Sequence, residues 1–147
     1  MREEIKRWLN NVRLGHYNDN ALVVVGGRSS GKTTFSVLAA KAVGLKPEHR
    51  IVVDVSAIKS PFFIDSVRNF AMVVIDCEAE DMEEVLSVLK PILSNRAVQV
   101  DRKGKSSVVV NNQMNFMILT NGYAPEPVSR RVLVTSPLAA MNVLAEI

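Results

Sequence analysis

One cysteine, Cys77, and two histidines, His16 and His49, are the whole stock of thiol and imidazole in 147 residues. A single thiol forms no internal disulfide, and these three residues do not assemble a structural zinc site. Glycine and proline are sparse at 7 and 6 residues, which excludes fibrous and low-complexity classes. No apolar stretch approaches the roughly 20 residues of a membrane-spanning helix. The start, Met1-Arg2-Glu3-Glu4-Ile5-Lys6, lacks the apolar core of a secretory signal. These absences lead us to expect a soluble, intracellular protein with no membrane partner. Aromatics are 5% of the chain (one Trp, two Tyr, five Phe). Base-stacking platforms are therefore not evident, and any grip on nucleic acid is expected to be electrostatic.

What is present is a core-forming composition: 48% hydrophobic and 22% charged residues, a length suited to one domain, and a net charge of +3. The charge is unevenly placed. Residues 76–84 hold Asp76, Glu78, Glu80, Asp81, Glu83 and Glu84, whereas residues 96–105 hold Arg96, Arg102, Lys103 and Lys105 against Asp101.

Residues 2–14 set Ile5, Trp8, Leu9 and Val12 at helical spacing. A turn at 15–20 leads to Ala21-Leu22-Val23-Val24-Val25, an unalternating β-branched run that reads as a buried parallel strand. His16 and Tyr17 in that turn read either as connectors or as neighbours of a nucleotide base. A helix is expected at 32–43. Further strands are expected at 51–55, 72–75, 116–119 and 132–134, with helices at 61–70 and 81–94 between them. Val98–Asp101 and Ser107–Val110 flank Arg102-Lys103-Gly104-Lys105, a hairpin pattern with Gly104 at its tip.

Gly26-Gly27-Arg28-Ser29-Ser30-Gly31-Lys32-Thr33 matches G-x-x-x-x-G-K-[ST] between a buried strand and a helix. Such a loop aims backbone N–H groups at phosphates, with Lys32 on the β and γ phosphates and Thr33 on Mg²⁺; Thr34 completes the cradle. Asp76 ends an apolar strand, as a second Mg²⁺ ligand requires, though a turn cap has the same form. Glu78 reads equally as a base for an attacking water or as one more solvated acid. Asn121 ends another apolar strand, where it reads as a γ-phosphate sensor or, with Gly122, as a turn. Arg130 and Arg131 suit charge stabilisation on a neighbouring subunit's nucleotide, or an exposed basic pair. Arg102, Lys103 and Lys105 suit phosphate contacts, or a solubilising tip.

Together and in order, these residues resemble superfamily 3 helicases, the AAA+ type P-loop ATPases of small DNA viruses and plasmids. The likeness spans roughly residues 20–135. The hairpin followed by Met117-Ile118-Leu119-Thr120-Asn121 is similar to parvovirus Rep proteins. The resemblance implies an α/β P-loop fold with a mostly parallel five-stranded sheet in the order 5-1-4-3-2, helices on both faces and an inserted β-hairpin. It divides the chain into an N-terminal helix and turn, 1–20, and an ATPase domain, 21–147. It also implies MgATP held by Lys32, Thr33 and Asp76, a sensor at Asn121, a finger at Arg131 or Arg130, and hairpin lysines on single-stranded DNA inside a hexameric ring. A separate origin-binding partner and a host-cell cytoplasmic location go with that function. Relatives carry adjacent acids where Cys77 here separates Asp76 from Glu78. Two other readings are a nucleotide-gated DNA-binding or assembly protein and a small P-loop nucleotide kinase.

Overall fold

The apolar runs become the central strands of one parallel sheet. In the computed structural model, which describes residues 1–123 and 131–147, β1 (Ala21–Val25), β2 (Arg50–Val53), β3 (Met72–Cys77), β6 (Asn115–Thr120) and β7 (Val132–Thr135) form that sheet. Every pairing in it is parallel. A second, two-stranded antiparallel ladder joins β4 (Ala97–Val100) to β5 (Val108–Asn111) and is the expected hairpin, with Gly104 at φ 69° near its tip. Counted over all seven strands the order is β2-β3-β6-β1-β7, a different string from the expected 5-1-4-3-2. The difference is one of counting. With β4 and β5 set aside, the main strands read 2-3-4-1-5, which is the expected order taken from the other edge.

Alternation along each strand sends side chains to two cores. On one face Val23, Val73, Ile75, Phe116 and Ile118 meet α3 (Val55–Ile58), α4 (Phe63–Val67), α5 (Met82–Leu93) and the inner side of the hairpin, Val98 and Val100. On the other, Leu22, Val24, Met72, Val74, Met117 and Leu119 meet α1 (Arg2–Arg13), α2 (Lys32–Ala42) and α6 (Pro137–Leu144). Helices therefore cover both faces. Trp8 of α1, 1% exposed, packs in the second core and donates its indole N–H to the Asn20 carbonyl at 3.1 Å, tying the N-terminal helix to the entry of β1.

Two elements depart from expectation. The helix expected over 61–70 is the short α4 alone, and α3 precedes it, N-capped by the Asp54 carboxylate accepting from Ala57 N–H at 3.1 Å. The C-terminal α6 was not anticipated; its cap is Ser136 Oγ, which accepts from Ala139 N–H at 3.2 Å, followed by Pro137 in the first turn. Among the described residues no helix is long and apolar enough to cross a membrane.

A buried amide knot closes the N-terminal edge of the sheet. Asn115 Oδ1 accepts from the backbone N–H and the Nδ2 of Asn18 at 2.7 and 2.8 Å, and Asn115 Nδ2 donates to the carbonyls of His16 and Ala71 at 3.2 and 3.0 Å. Both asparagines are buried. The knot fixes the turn after α1 against the first residue of β6.

Candidate functional site

In a parallel sheet, loops at the carboxyl ends of the strands form the ligand-binding edge. Three expected pieces meet there. β6 lies between β1 and β3, so the glycine loop after β1, Asn121 after β6 and Asp76 on β3 stand side by side, with Asp76 opposite Leu119 and Leu119 opposite Val24.

The loop from Gly26 to Gly31 turns tightly into α2. Gly26 N–H donates to the Thr120 carbonyl at 3.1 Å, Ser30 N–H to the Gly27 carbonyl at 3.2 Å, and Phe35 N–H to the Gly31 carbonyl at 2.8 Å. Gly31 at φ 97° is the N-cap of α2, and Ser29 also sits in the left-handed region at φ 63°. Gly26 is tightly enclosed: a Cβ there would lie 2.4 Å from Ser30 Oγ, which would have to turn away, and 3.1 Å from the ring of Pro137. The loop frames a hollow of about 220 Å³ lined by Ser29, Ser30, Gly31, Lys32, Thr33 and Thr34, while Gly27 and Arg28 are exposed beside it. The Lys32 ammonium folds back on the loop and donates to the carbonyls of Gly26, at 2.5 Å, and Gly27, at 3.3 Å. It thus occupies part of the space that the loop encloses.

Across the edge, Met72 and Val74 face the α2 side, so strand alternation places Asp76 on that side as well, and its side chain is exposed. Glu78 remains extended (φ −80°, ψ 163°), which carries it to the same side. Asn121 joins them: its Nδ2 donates to Glu78 Oε2 at 2.8 Å, and its Oδ1 accepts from Ala79 N–H at 2.8 Å. Cys77 points the opposite way into the core, where burial first, and next the negative charge of Asp81, push its thiol up to about 11. Thr33 Oγ and the Asp76 carboxylate are hard oxygen donors of the kind Mg²⁺ takes alongside several waters. Among the described residues no group of three or more His, Cys, Asp or Glu is placed to hold a metal ion alone.

Sequence reasoning missed two contributors. The first turn of α6 abuts the loop through Pro137; the Ser136-Pro137 pair was its available signal. Arg50, on edge strand β2, donates from Nη2 to Ser36 Oγ at 2.6 Å, and Ser36 Oγ donates to the Thr33 carbonyl at 2.8 Å, which braces the first turn of α2. Partial burial lowers the Arg50 pKa. No pattern in the chain singles Arg50 out.

The remaining expected residues lie elsewhere. Arg131 precedes β7 at the opposite edge of the sheet, where its Nη1 donates to the Asp19 carbonyl at 3.3 Å and lies 3.8 Å from the Asp19 carboxylate. It does not reach the glycine loop of its own chain. Arg130 falls outside the described residues. His16 and Tyr17 also sit at that opposite edge, so they do not line a base bound at the loop. Lys103 and Lys105 are exposed at the hairpin tip, and Arg102 Nε donates to the Ser106 carbonyl at 2.9 Å, stiffening the turn.

The fold recurs in solved structures. The C-terminal region of NrS-1 superposes with a TM-score of 0.67 at 22% identity, covering 97% of this chain and 38% of that one. A second structure of that region gives 0.66 at 19% identity, covering 97% and 37%. JCV Helicase gives 0.61 at 18% identity, covering 91% and 39%. This chain spans less than two-fifths of the length of each. It is an α/β protein with a mostly parallel five-stranded sheet, and it shares its fold with these structures. Residues 24–131 match DUF5906, a family of unknown function, and the chain belongs to that family. Among curated proteins, none matches it.

Proposed function

We propose that this chain is the ATP-hydrolysing motor core of a replication helicase of superfamily 3 type, acting as an oligomeric ring on single-stranded DNA. The observation that carries the reading is the alignment of the glycine loop, Asn121 and the Asp76–Glu78 pair along one sheet edge. The loop N–H groups between Gly27 and Thr34 that are not spent on the loop's own hydrogen bonds would cradle the phosphates. Lys32, released from its two carbonyls, would take the β and γ phosphates, and Thr33 and Asp76 would hold Mg²⁺, which neutralises charge on the transferring phosphoryl group. Glu78, held by Asn121, would orient and deprotonate the attacking water. Arg131, with Arg130 as the alternate, stands at the far edge and would therefore serve a neighbouring copy's nucleotide, which makes the site complete only in an assembly such as a hexamer. Arg102, Lys103 and Lys105 would track DNA phosphates. A partner would supply origin binding, in the cytoplasm of a host cell.

Steady-state ATP hydrolysis with and without single-stranded DNA, across protein concentration, tests this. The expected result is DNA-stimulated hydrolysis that grows faster than linearly with protein, is abolished by Lys32→Ala, and loses its stimulation in the Lys103→Ala/Lys105→Ala variant. Hydrolysis linear in protein and indifferent to DNA overturns it. A second reading, a nucleotide-gated DNA-binding protein, is favoured by the Cys77 that separates the two acids. It predicts tight ATP binding without turnover, and a residual rate unchanged by Glu78→Gln.

A further inference from the structure

We infer that a polar hollow at the root of the hairpin, remote from the glycine loop, holds one nucleotide unit of a single-stranded polynucleotide. The hollow measures about 560 Å³ and is lined by His16 and Tyr17 from the turn after α1, and by Arg96, Asn111 and Gln113 from the base of the hairpin, among others. It lies at the N-terminal edge of the sheet, whereas the Asp76–Asn121 site lies at the carboxyl edge. Its volume is that of an ordinary small-ligand site and suits a nucleotide.

The walls are held from behind. Asn112, buried, donates from Nδ2 to the carbonyls of Ile92 and Asn95 at 2.9 and 3.1 Å and accepts from Met114 N–H at 3.1 Å, while its backbone N–H donates to the Arg96 carbonyl at 2.7 Å. His16 is fixed through its backbone, donating to the Asn11 carbonyl at 2.9 Å and accepting from Asn115 Nδ2 at 3.2 Å. The side chains that face the space are different. Those of His16, Tyr17, Arg96, Asn111 and Gln113 make no hydrogen bond or ion pair among the described residues. The frame is thus rigid and its lining is free to bond a ligand.

The lining chemistry selects the ligand. Among the described residues no carboxylate borders the hollow, so an anion meets no like charge from them. Arg96 supplies one forked cation suited to one phosphate. Tyr17, half-buried, supplies an aromatic face for a base, and Asn111 and Gln113 each supply a donor and an acceptor suited to a base edge. From Arg96 to Arg102 the backbone of β4 covers about 20 Å at the usual strand rise, so a polynucleotide gripped at the tip has a second anchor at the root. The inference rests on the DNA-binding reading above, but it adds a site that the tip lysines do not form.

The test is fluorescence anisotropy of a labelled oligothymidylate with the full chain, comparing Arg96→Ala, Tyr17→Ala, Tyr17→Phe and the Lys103→Ala/Lys105→Ala variant. Arg96→Ala should weaken binding and reduce the salt slope by about 0.7, the share of one single-strand phosphate. Tyr17→Ala should weaken it roughly tenfold, the scale of one lost base stack, and Tyr17→Phe should restore it. Photo-crosslinking of a 5-iodouridine strand to the peptide containing Tyr17 reads the same contact without any substitution. If the tip variant loses affinity while Arg96→Ala and Tyr17→Ala bind as the parent does and no crosslink forms, the hollow is not a site and the DNA-binding reading stands. If the parent binds no strand at all, both fall. If Arg96→Ala abolishes binding of free thymidine monophosphate but not of the strand, the hollow serves free nucleotides and the inference is overturned.

Discussion

Asn115→Ala is expected to cost this domain about 3 kcal/mol, and the figure follows from which groups the substitution strands. Asn115 is 1% exposed and makes four side-chain hydrogen bonds. Two of its partners keep another: Asn18 Nδ2 still donates to the Trp8 carbonyl at 3.0 Å, and the Ala71 carbonyl still accepts from the backbone N–H of residue 115 at 3.0 Å. The other two, Asn18 N–H and the His16 carbonyl, lose their partner. The stranded Asn18 N–H is buried and costs about 1–3 kcal/mol, the His16 carbonyl is part-buried and costs less, and the small void adds a fraction more. At about 2–4 °C per kcal/mol for a chain of this size, the melting temperature should fall by about 10 °C. Urea unfolding followed by circular dichroism measures the free energy, with exposed Asn142→Ala as the control expected to change it by less than about 0.5 kcal/mol. A loss below about 1 kcal/mol for Asn115→Ala would show that water replaces the knot without penalty and refute the argument.

Gly26→Ala should unseat the loop, because the added Cβ meets Ser30 Oγ at 2.4 Å and the Pro137 ring at 3.1 Å; ATP binding by calorimetry should be lost while far-UV circular dichroism is retained, and unchanged ATP affinity would contradict the reading. Cys77 should resist iodoacetamide at pH 7.4 in the folded protein and react in urea, since its thiol is buried and raised to about 11. The sign of the linked stability follows. Between the ordinary cysteine pKa and about 11, the folded state holds a proton that the unfolded state has released, so stability falls as pH rises through that window. A Cys77→Ala variant should lose that part of the alkaline slope.

How much was legible depended on burial pattern. β1, β3 and β6 are covered on both faces, and such strands must be continuous β-branched or apolar runs, so Ala21–Val25, Met72–Ile75 and Phe116–Leu119 stood out at once. α1 stood out because one stripe, Ile5, Trp8, Leu9 and Val12, is buried and the rest is polar. α6 did not, since Pro137-Leu138-Ala139-Ala140-Met141 is apolar all round and shows no helical period. The amide knot was illegible: Asn18 and Asn115 are 97 residues apart and each looks like a turn residue beside a strand. Within the candidate site, the glycine loop, Asp76, Glu78 and Asn121 were readable because each ends a strand of known direction. That the same logic sends Arg131 to the far edge depends on β7 running parallel to β1, a fact of the sheet rather than of the local sequence.

β6 has a consequence for how the protein opens. All six of its residues are buried and it is flanked on both sides by parallel partners, with Asn115 in the knot at one end and Asn121 against Glu78 at the other. No partial unfolding exposes its amides without pulling β1 or β3 away. Their deuterium uptake should therefore track the free energy of unfolding the whole domain, whereas edge strand β2 and the hairpin tip exchange through local opening. Residues at the end of β6 are consequently anchored to the slowest-opening part of the molecule, and the site they border inherits that permanence.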